Sequence, residues 1–356
     1  MIAQPTKSEC FVKLHFQKDI SNSKMTLPVV GIIALALWWA LPAFSPSEHW
    51  IPFPLHCYSS IANADFTSSA YGLWQYVPLF LQQGYWSLGL SAGCAILAVY
   101  LMAWLNQTHV LLRVHTQMLS STLFMLLAFS VLCHRWQPGS VVMIFSLLSF
   151  FLLFATYQKP HPVLTFTIYL VLSVTSFIFP KFLWMVPAYW CIQITLRSFS
   201  FRCFVASLLA IILPYWFYGG VTVLTSTLPN FVAHVTELGT FQYFNYTLLN
   251  RQDALTMLFV IILFTTGSID FYRQRFLDKT RTRILYNAVM IHGVYTIIIC
   301  CVMPQYIHIF LPLLLIDTAI VYGHFFTLTH TLVSHIYNLV LLLLAVCVMA
   351  VQYIQL

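Results

Sequence analysis

Long apolar stretches, separated by short connections, recur along the whole sequence. A helix that crosses the hydrocarbon core of a bilayer needs about 20 apolar residues, and inside a bilayer every backbone polar group must be satisfied within the protein. The composition agrees, since 60% of the 356 residues are hydrophobic and 7% are charged, against about a quarter in soluble domains. The sequence therefore predicts an all-α, polytopic transmembrane helix bundle.

Eleven of these stretches approach the length of a spanning helix. They lie near residues 26–44, 85–105, 117–133, 139–157, 163–179, 182–196, 203–222, 252–269, 284–303, 306–323 and 331–353. The fifth and sixth could instead form one helical hairpin around Phe179, Pro180 and Lys181. We therefore expect about eleven spanning helices, within a range of ten to twelve.

The densest charge lies between Asp270 and Arg283, in the stretch DFYRQRFLDKTRTR. Short loops rich in Lys and Arg stay on the cytoplasmic side of a membrane. With this loop inside and eleven spans, thirteen Lys and Arg residues fall inside, and three fall outside: Arg135, Lys181 and Arg251. We expect a cytoplasmic N-terminus, with residues 1–24 as a tail and 25–356 as one transmembrane domain. Met25 is an alternative first residue.

Two connections on the outer side are long, near residues 45–84 and 219–251. The end of the first, Tyr71–Gln83, places apolar side chains among few polar ones, which favours an interfacial helix broken near Pro78. The second alternates Thr, Ser and Asn with aromatic residues. It is predicted to lie on the outer surface as another amphipathic segment.

The first outer loop carries two carboxylates, Glu48 and Asp65, after the first helix. In multispan glycosyltransferases that use polyprenyl-phosphate sugars, an acid in this position is the general base for the acceptor hydroxyl or binds a divalent cation. The alternative is that both residues simply keep the loop in water. Because the first loop has no Lys or Arg, the lipid phosphate would have to be bound by Arg135, Lys181 and Arg251.

Asp317 is the one acidic residue well inside a predicted span. A carboxylate inside the membrane is a candidate functional group because its desolvation is costly. His324 lies seven residues later on the same helix face, about 10 Å along the axis, so the two cannot pair, although His292 could approach the same region. His324 and His330 flank the polar turn into the last helix, where they could instead satisfy free backbone groups. No spacing of His or Cys indicates a metal or haem.

The C-terminal third resembles a known family. The run DKTRTRILYN, Asp278–Asn287, and the run from Met303 to Thr331, which ends GHFFTLTHT, are similar to uncharacterised polytopic inner-membrane proteins of Bacteroidetes. Weaker similarity covers Arg113–Ser130 and Phe179–Tyr189. Some such proteins are labelled β-carotene monooxygenase-like, but no pattern of iron ligands is present here. The resemblance implies a bacterial inner membrane and supplies no catalytic residues.

Three functions remain open at this stage. The first is an enzyme of cell-envelope assembly, a lipid-linked-sugar glycosyltransferase or polymerase-like protein with Glu48 or Asp65 as the catalytic acid. The second is a non-catalytic subunit that packs against a larger membrane complex. The third is a proton-coupled transporter that uses Asp317 and His324. Membrane lipids are the expected partners in all three, the cofactor is unknown, and the basic residues are topological signals rather than a nucleic-acid surface.

Overall fold

The computed structural model describes residues 23, 25–40, 74, 77–82, 84–114, 116–240, 244, 246, 249, 251–329 and 332–354. This part of the chain contains twelve helices of ten residues or more. They are α1 Thr26–Ala40, α2 Gly84–His109, α3 Met118–Phe129, α4 Pro138–Ala155, α5 Pro162–Ser176, α6 Val186–Thr195, α7 Phe201–Leu224, α8 Leu228–Gly239, α9 Arg251–Gln274, α10 Thr280–Val302, α11 Ile307–Leu328 and α12 Leu332–Ile354. The prediction of an all-α fold is confirmed for these residues.

Each of the eleven predicted stretches contains one helix, and α8 lies within the predicted outer loop. Seven helices are long and apolar enough to cross a membrane: α2, α4, α7, α9, α10, α11 and α12. The other five have 10 to 15 residues. Two of them are lengthened by 3₁₀ turns, since Val131–His134 closely follows α3 and Pro180–Met185 runs directly into α6. Because a 3₁₀ helix rises about 2.0 Å per residue, Pro180–Thr195 reaches about 27 Å.

The helix connections gather at two ends of the bundle. At one end, Arg281 Nη2 lies 3.3 Å from His109 Nδ1, and Arg113 pairs with Asp278. At the other, the Trp136 amide donates to Ser87, and Phe244 donates to the Val302 carbonyl. Nine described cations lie at the first end: Arg113, Lys159, Arg197, Arg202, Arg273, Arg275, Lys279, Arg281 and Arg283. We call it the basic end, and the other, with Arg135, Lys181 and Arg251, the opposite end.

Helix α11 lies at the centre of the bundle, packed between α3, α4, α9 and α10. In an 18-residue apolar window of the span Pro304–Leu328, 89% of the residues are buried. A helix that is apolar on all sides is expected to be surrounded by others. A polar side chain on α11 is therefore satisfied by a carbonyl of its own helix, as Thr327 is by Gly323, or by a neighbouring helix, or is left unpaired in the interior.

A proline inside α11 is accommodated by α4. Pro312 cannot donate to the carbonyl of His308, four residues earlier, and Gln137 Nε2 donates to that carbonyl at 3.0 Å. The first turn of α4 also touches α11 closely, since a Cβ on Gly139 would lie 2.5 Å from the His308 oxygen. Glycine is required at residue 139 for this approach.

The predicted basic loop at 270–283 is mostly helical. Helix α9 continues to Gln274, a 3₁₀ turn covers Arg275–Leu277, and α10 begins at Thr280. The loop is therefore shorter than the sequence indicated. Helix α9 continues beyond the end of its apolar stretch into residues with polar side chains. The predicted interfacial segment at 71–83 contains one short helix in its described part, Leu79–Gln82, directly after Pro78.

Candidate functional site

A histidine and a carboxylate meet in the interior of the bundle. His292 of α10 places Nδ1 at 2.7 Å from Oδ2 of Asp317 of α11, and both side chains are 0% exposed. The pair is close to the middle of both helices. The sequence prediction that Asp317 and His324 do not pair is confirmed, and the partner of Asp317 is His292.

Local packing brings the two helices close enough for this contact. Gly293 follows His292, and a Cβ there would lie 2.5 Å from the Phe264 ring and 3.2 Å from the Asp317 Cβ. A side chain at 293 would therefore force α10 away from α9 and α11. Two aromatic rings enclose the imidazole on its remaining sides, with ring centroids at 4.7 Å for Phe150 and 5.8 Å for Tyr189.

Two polar atoms of the pair, His292 Nε2 and Asp317 Oδ1, have no hydrogen-bond partner among the described residues. The Tyr189 hydroxyl nearby lies beside Ser146 and Ser149. Unpaired buried polar atoms are uncommon and call for a specific explanation. An imidazole that is held by a carboxylate at Nδ1 and free at Nε2 can accept and release a proton. The arrangement is therefore a protonatable site enclosed by apolar helices.

A second pair joins α11 to the basic end. His324 Nε2 lies 3.2 Å from Asp278 Oδ2, and Arg113 Nε lies 2.7 Å from Asp278 Oδ1. The Asp278 side chain is fully buried, whereas that of Arg113 is 31% exposed. The alternative expectation for His324, that it satisfies a free backbone group, is wrong, because its described contact is with a carboxylate. This cluster ties two connections of the basic end to the central helix.

Aromatic rings lie beside the second pair. The Tyr286 ring is 4.9 Å from the His324 ring and stacks on Phe271 at 4.9 Å. The Tyr286 hydroxyl has no partner among the described residues. Since Tyr286 precedes His292 by six residues on α10, it is about 9 Å nearer the basic end. The two pairs therefore lie one above the other along α10 and α11.

The opposite end contains the three cations that the sequence assigned to phosphate binding. Lys181 is 2% exposed; its ammonium donates to the Tyr306 hydroxyl and lies 4.2 Å from the centroid of that ring. Arg135 is half-buried just after the 3₁₀ turn that follows α3, and Arg251 is exposed at the start of α9. Lys181 thus belongs to a buried contact, unlike the exposed Arg251.

Glu237 of α8 is an acidic neighbour of Lys181 that the sequence did not single out. Burial lowers the pKa of Lys181, and the charge of Glu237 opposes this shift. Burial likewise raises the pKa of Glu237, and Lys181 opposes that. Oε1 of Glu237 is buried without a hydrogen-bond partner. An acid and a cation therefore influence each other electrostatically where α8 covers the opposite end.

Three of the predicted site residues, Glu48, Asp65 and His330, lie outside the described residues. His292 was noticed in the sequence without being assigned to the site, and Asp278 was considered only as part of the basic loop and of the resemblance. Comparison with family models, with curated proteins and with solved structures gives no match to this chain. The sequence and the geometry above are therefore what any assignment of function must rest on, and together they indicate a multi-pass membrane protein.

Proposed function

We propose that this chain is a proton-coupled membrane transporter in which the His292–Asp317 pair binds and releases the proton. The observation that supports the proposal is the 2.7 Å contact between two fully buried side chains on two apolar helices. Chains of Asp and His inside membrane proteins are typical of proton pathways. The second pair, His324–Asp278, lies along the same helices toward the basic end, where a proton would enter or leave.

A purely structural role is the competing explanation. A buried ion pair is weak evidence for stability, because well-packed apolar side chains of similar volume commonly stabilise a protein as much or more. A chain that needed only to join α10 to α11 could use Leu at both positions. The free Nε2 of His292 and free Oδ1 of Asp317 also add unpaired polar atoms to the interior. Both features favour a role in proton binding.

The experiment is proton flux through proteoliposomes. The protein is reconstituted with a trapped pH-sensitive dye, a pH step is applied, and the rate of equilibration is compared with that of protein-free liposomes. We expect wild type to equilibrate faster, and Asp317→Asn to return to the protein-free rate. Thr318→Val is the matched control, since Thr318 is equally buried and lies beside Asp317. Unchanged flux in Asp317→Asn, or no flux in wild type, would refute the proposal.

A lipid-linked-sugar glycosyltransferase is the second candidate. It is favoured by the contact of Lys181 with Tyr306 near Glu237, at the same end as Arg135 and Arg251. Glu48 or Asp65 would then supply the general base. The test is transfer from a radiolabelled polyprenyl-phosphate sugar: Glu48→Gln should fold and lose transfer, and full activity in that variant removes this candidate.

An accessory subunit of a larger membrane complex stays a third proposal. Helix α7 has few buried residues, and Trp216, Phe217 and Phe201 on it are 65% to 80% exposed, which a lipid or a protein partner could cover. Copurification of the same partner chains in mild detergent would support it. A bacterial inner membrane and membership of the Bacteroidetes family remain proposals that rest on the resemblance of the C-terminal third.

A further inference from the structure

Exposed cations surround the turn between α9 and α10 without carboxylate partners. Arg273, Arg275 and Lys279 are exposed, and none of them forms an ion pair within the described residues. Their charges are available because both acids of residues 270–283 are bound elsewhere. The turn therefore presents unneutralised positive charge at the surface.

The contacts of the two acids are specific. Gln274 Nε2 donates to both oxygens of Asp270 at 3.0 Å, and the Thr329 hydroxyl donates to Oδ2 at 2.8 Å. Asp278 is bound by Arg113 and His324, as described above. Asp270 thus holds the turn to Thr329 at the end of α11, and Asp278 holds it to His324 of α11 and to Arg113 in the connection between α2 and α3. Among the described residues, neither acid forms an ion pair with the exposed cations of the turn.

Large apolar side chains project from the same turn. Phe276 is 74% exposed, Leu277 66% and Tyr272 50%. The Arg275 guanidinium lies 5.0 Å from the Phe276 ring centroid and 5.8 Å from that of Tyr272. These residues lie at the C-terminal end of the span Arg251–Leu277, which is long and apolar enough to cross a membrane. Aromatic rings beside Arg and Lys at the end of a span are typical of the boundary between headgroups and acyl chains.

We propose that this turn is a binding site for the phosphate of an anionic phospholipid in the leaflet at the basic end. Arg275 and Lys279 contact the headgroup, and Phe276 and Leu277 lie among the upper acyl carbons. The anchoring of Asp278 between these positions fixes the two cations relative to the bundle. An anionic lipid satisfies both features of the surface, because its headgroup carries net negative charge and its chains cover the apolar side chains. This inference is independent of the transport proposal.

The test is binding of a fluorescent phosphatidylglycerol, compared with the matching phosphatidylcholine, to the full chain in a neutral detergent. A Lys or Arg near an anionic headgroup contributes about fivefold in affinity. Arg275→Gln with Lys279→Gln should therefore weaken phosphatidylglycerol binding about 25-fold and leave phosphatidylcholine binding unchanged. Raising the salt concentration should weaken the first lipid alone, and inorganic phosphate, which has no acyl chains, should not compete at equal concentration.

Arg202→Gln is the matched control, because Arg202 is also exposed at the basic end but lies on α7. We expect it to change phosphatidylglycerol binding less than twofold. Phe276→Ser should weaken both lipids, since it removes apolar contact without changing charge. Wild-type affinity in the double variant would overturn the proposal. Equal losses in the double variant and in Arg202→Gln would also overturn it, since the attraction would then come from the whole surface rather than from this turn.

Discussion

Replacing Asp317 by Leu should destabilise the fold far more than replacing Asp317 and His292 together. The single change leaves His292 buried with both ring nitrogens unpaired, and removing one member of a buried pair typically costs about 3–5 kcal/mol. The double change to Leu removes both polar groups and fills similar volume, so its free energy of unfolding should be within about 1–2 kcal/mol of wild type. The coupling energy should therefore reach about 2 kcal/mol or more. This exceeds the average of about 0.6 kcal/mol for hydrogen bonds between membrane helices, because one partner is a carboxylate.

The assay is a double-mutant cycle of unfolding free energies, measured by detergent-induced unfolding at one pH. Four proteins are needed: wild type, Asp317→Leu, His292→Leu and the double variant. A second cycle pairs His292→Leu with Thr318→Val, which changes another fully buried polar side chain of α11 and should give additive effects. Additive effects in the first cycle, within about 0.5 kcal/mol, would refute the contact and with it the proposed site.

Three further outcomes follow from particular contacts. Gly139→Ala should lower the unfolding temperature because its Cβ meets the His308 carbonyl at 2.5 Å, whereas Gly220→Ala, with nothing within 4 Å, should not; equal midpoints would contradict this. Because the pKa of Glu237 is raised, the contribution of Glu237 to stability is present at acid pH and lost as the pH rises. Glu237→Gln should therefore gain stability relative to wild type between pH 4 and pH 8. A difference between the two proteins that stays constant with pH would contradict this prediction. Asp278→Asn should release the turn before α10, because it loses roughly 1–2 kcal/mol of charged hydrogen bonding. Trypsin cleavage at Arg275 and Lys279 should therefore accelerate about tenfold. An unchanged cleavage rate would show that Asp278 does not anchor the turn.

Helix positions could be predicted from the sequence because apolar length alone determines them. Each predicted stretch contains a helix, and the alternation of charge between loops places nine described cations at one end and three at the other. Helix ends were harder to predict. Helix α9 continues to Gln274, whose side chain donates to Asp270 one turn earlier, and hydrophobicity carries no information about such a contact. The short helices α3 and α6 also depend on 3₁₀ turns that hydropathy does not reveal.

The candidate site was half predictable. Asp317 is conspicuous as a carboxylate in an apolar helix, but its partner depends on which helices are neighbours. Counting from the basic end offers a signal: His292 is the thirteenth residue of α10, and Asp317 is the twelfth from the end of α11. Two antiparallel neighbours with polar residues at equal depth can pair, so matching depths in consecutive helices would have found the contact. The burial of Lys181 against Tyr306 has no such signal, because both residues lie in short 3₁₀ turns.

The two histidine–carboxylate pairs of α11 differ in their charge balance, and this difference separates their roles. Asp278 has Arg113 as a permanent cation, so the cluster is neutral while His324 is neutral, and its interactions hold the basic end together. Asp317 has only His292 among the described residues. That pair is neutral only while it holds two protons, one on Nε2 and one on either Nδ1 or the carboxylate, and each further proton gained or lost changes the charge of the bundle interior by one unit. Since an uncompensated charge in such an interior is strongly disfavoured, a change of protonation at His292–Asp317 must be accompanied by movement of helices, water or a second ion. The proposed transport requires this coupling between protonation and movement.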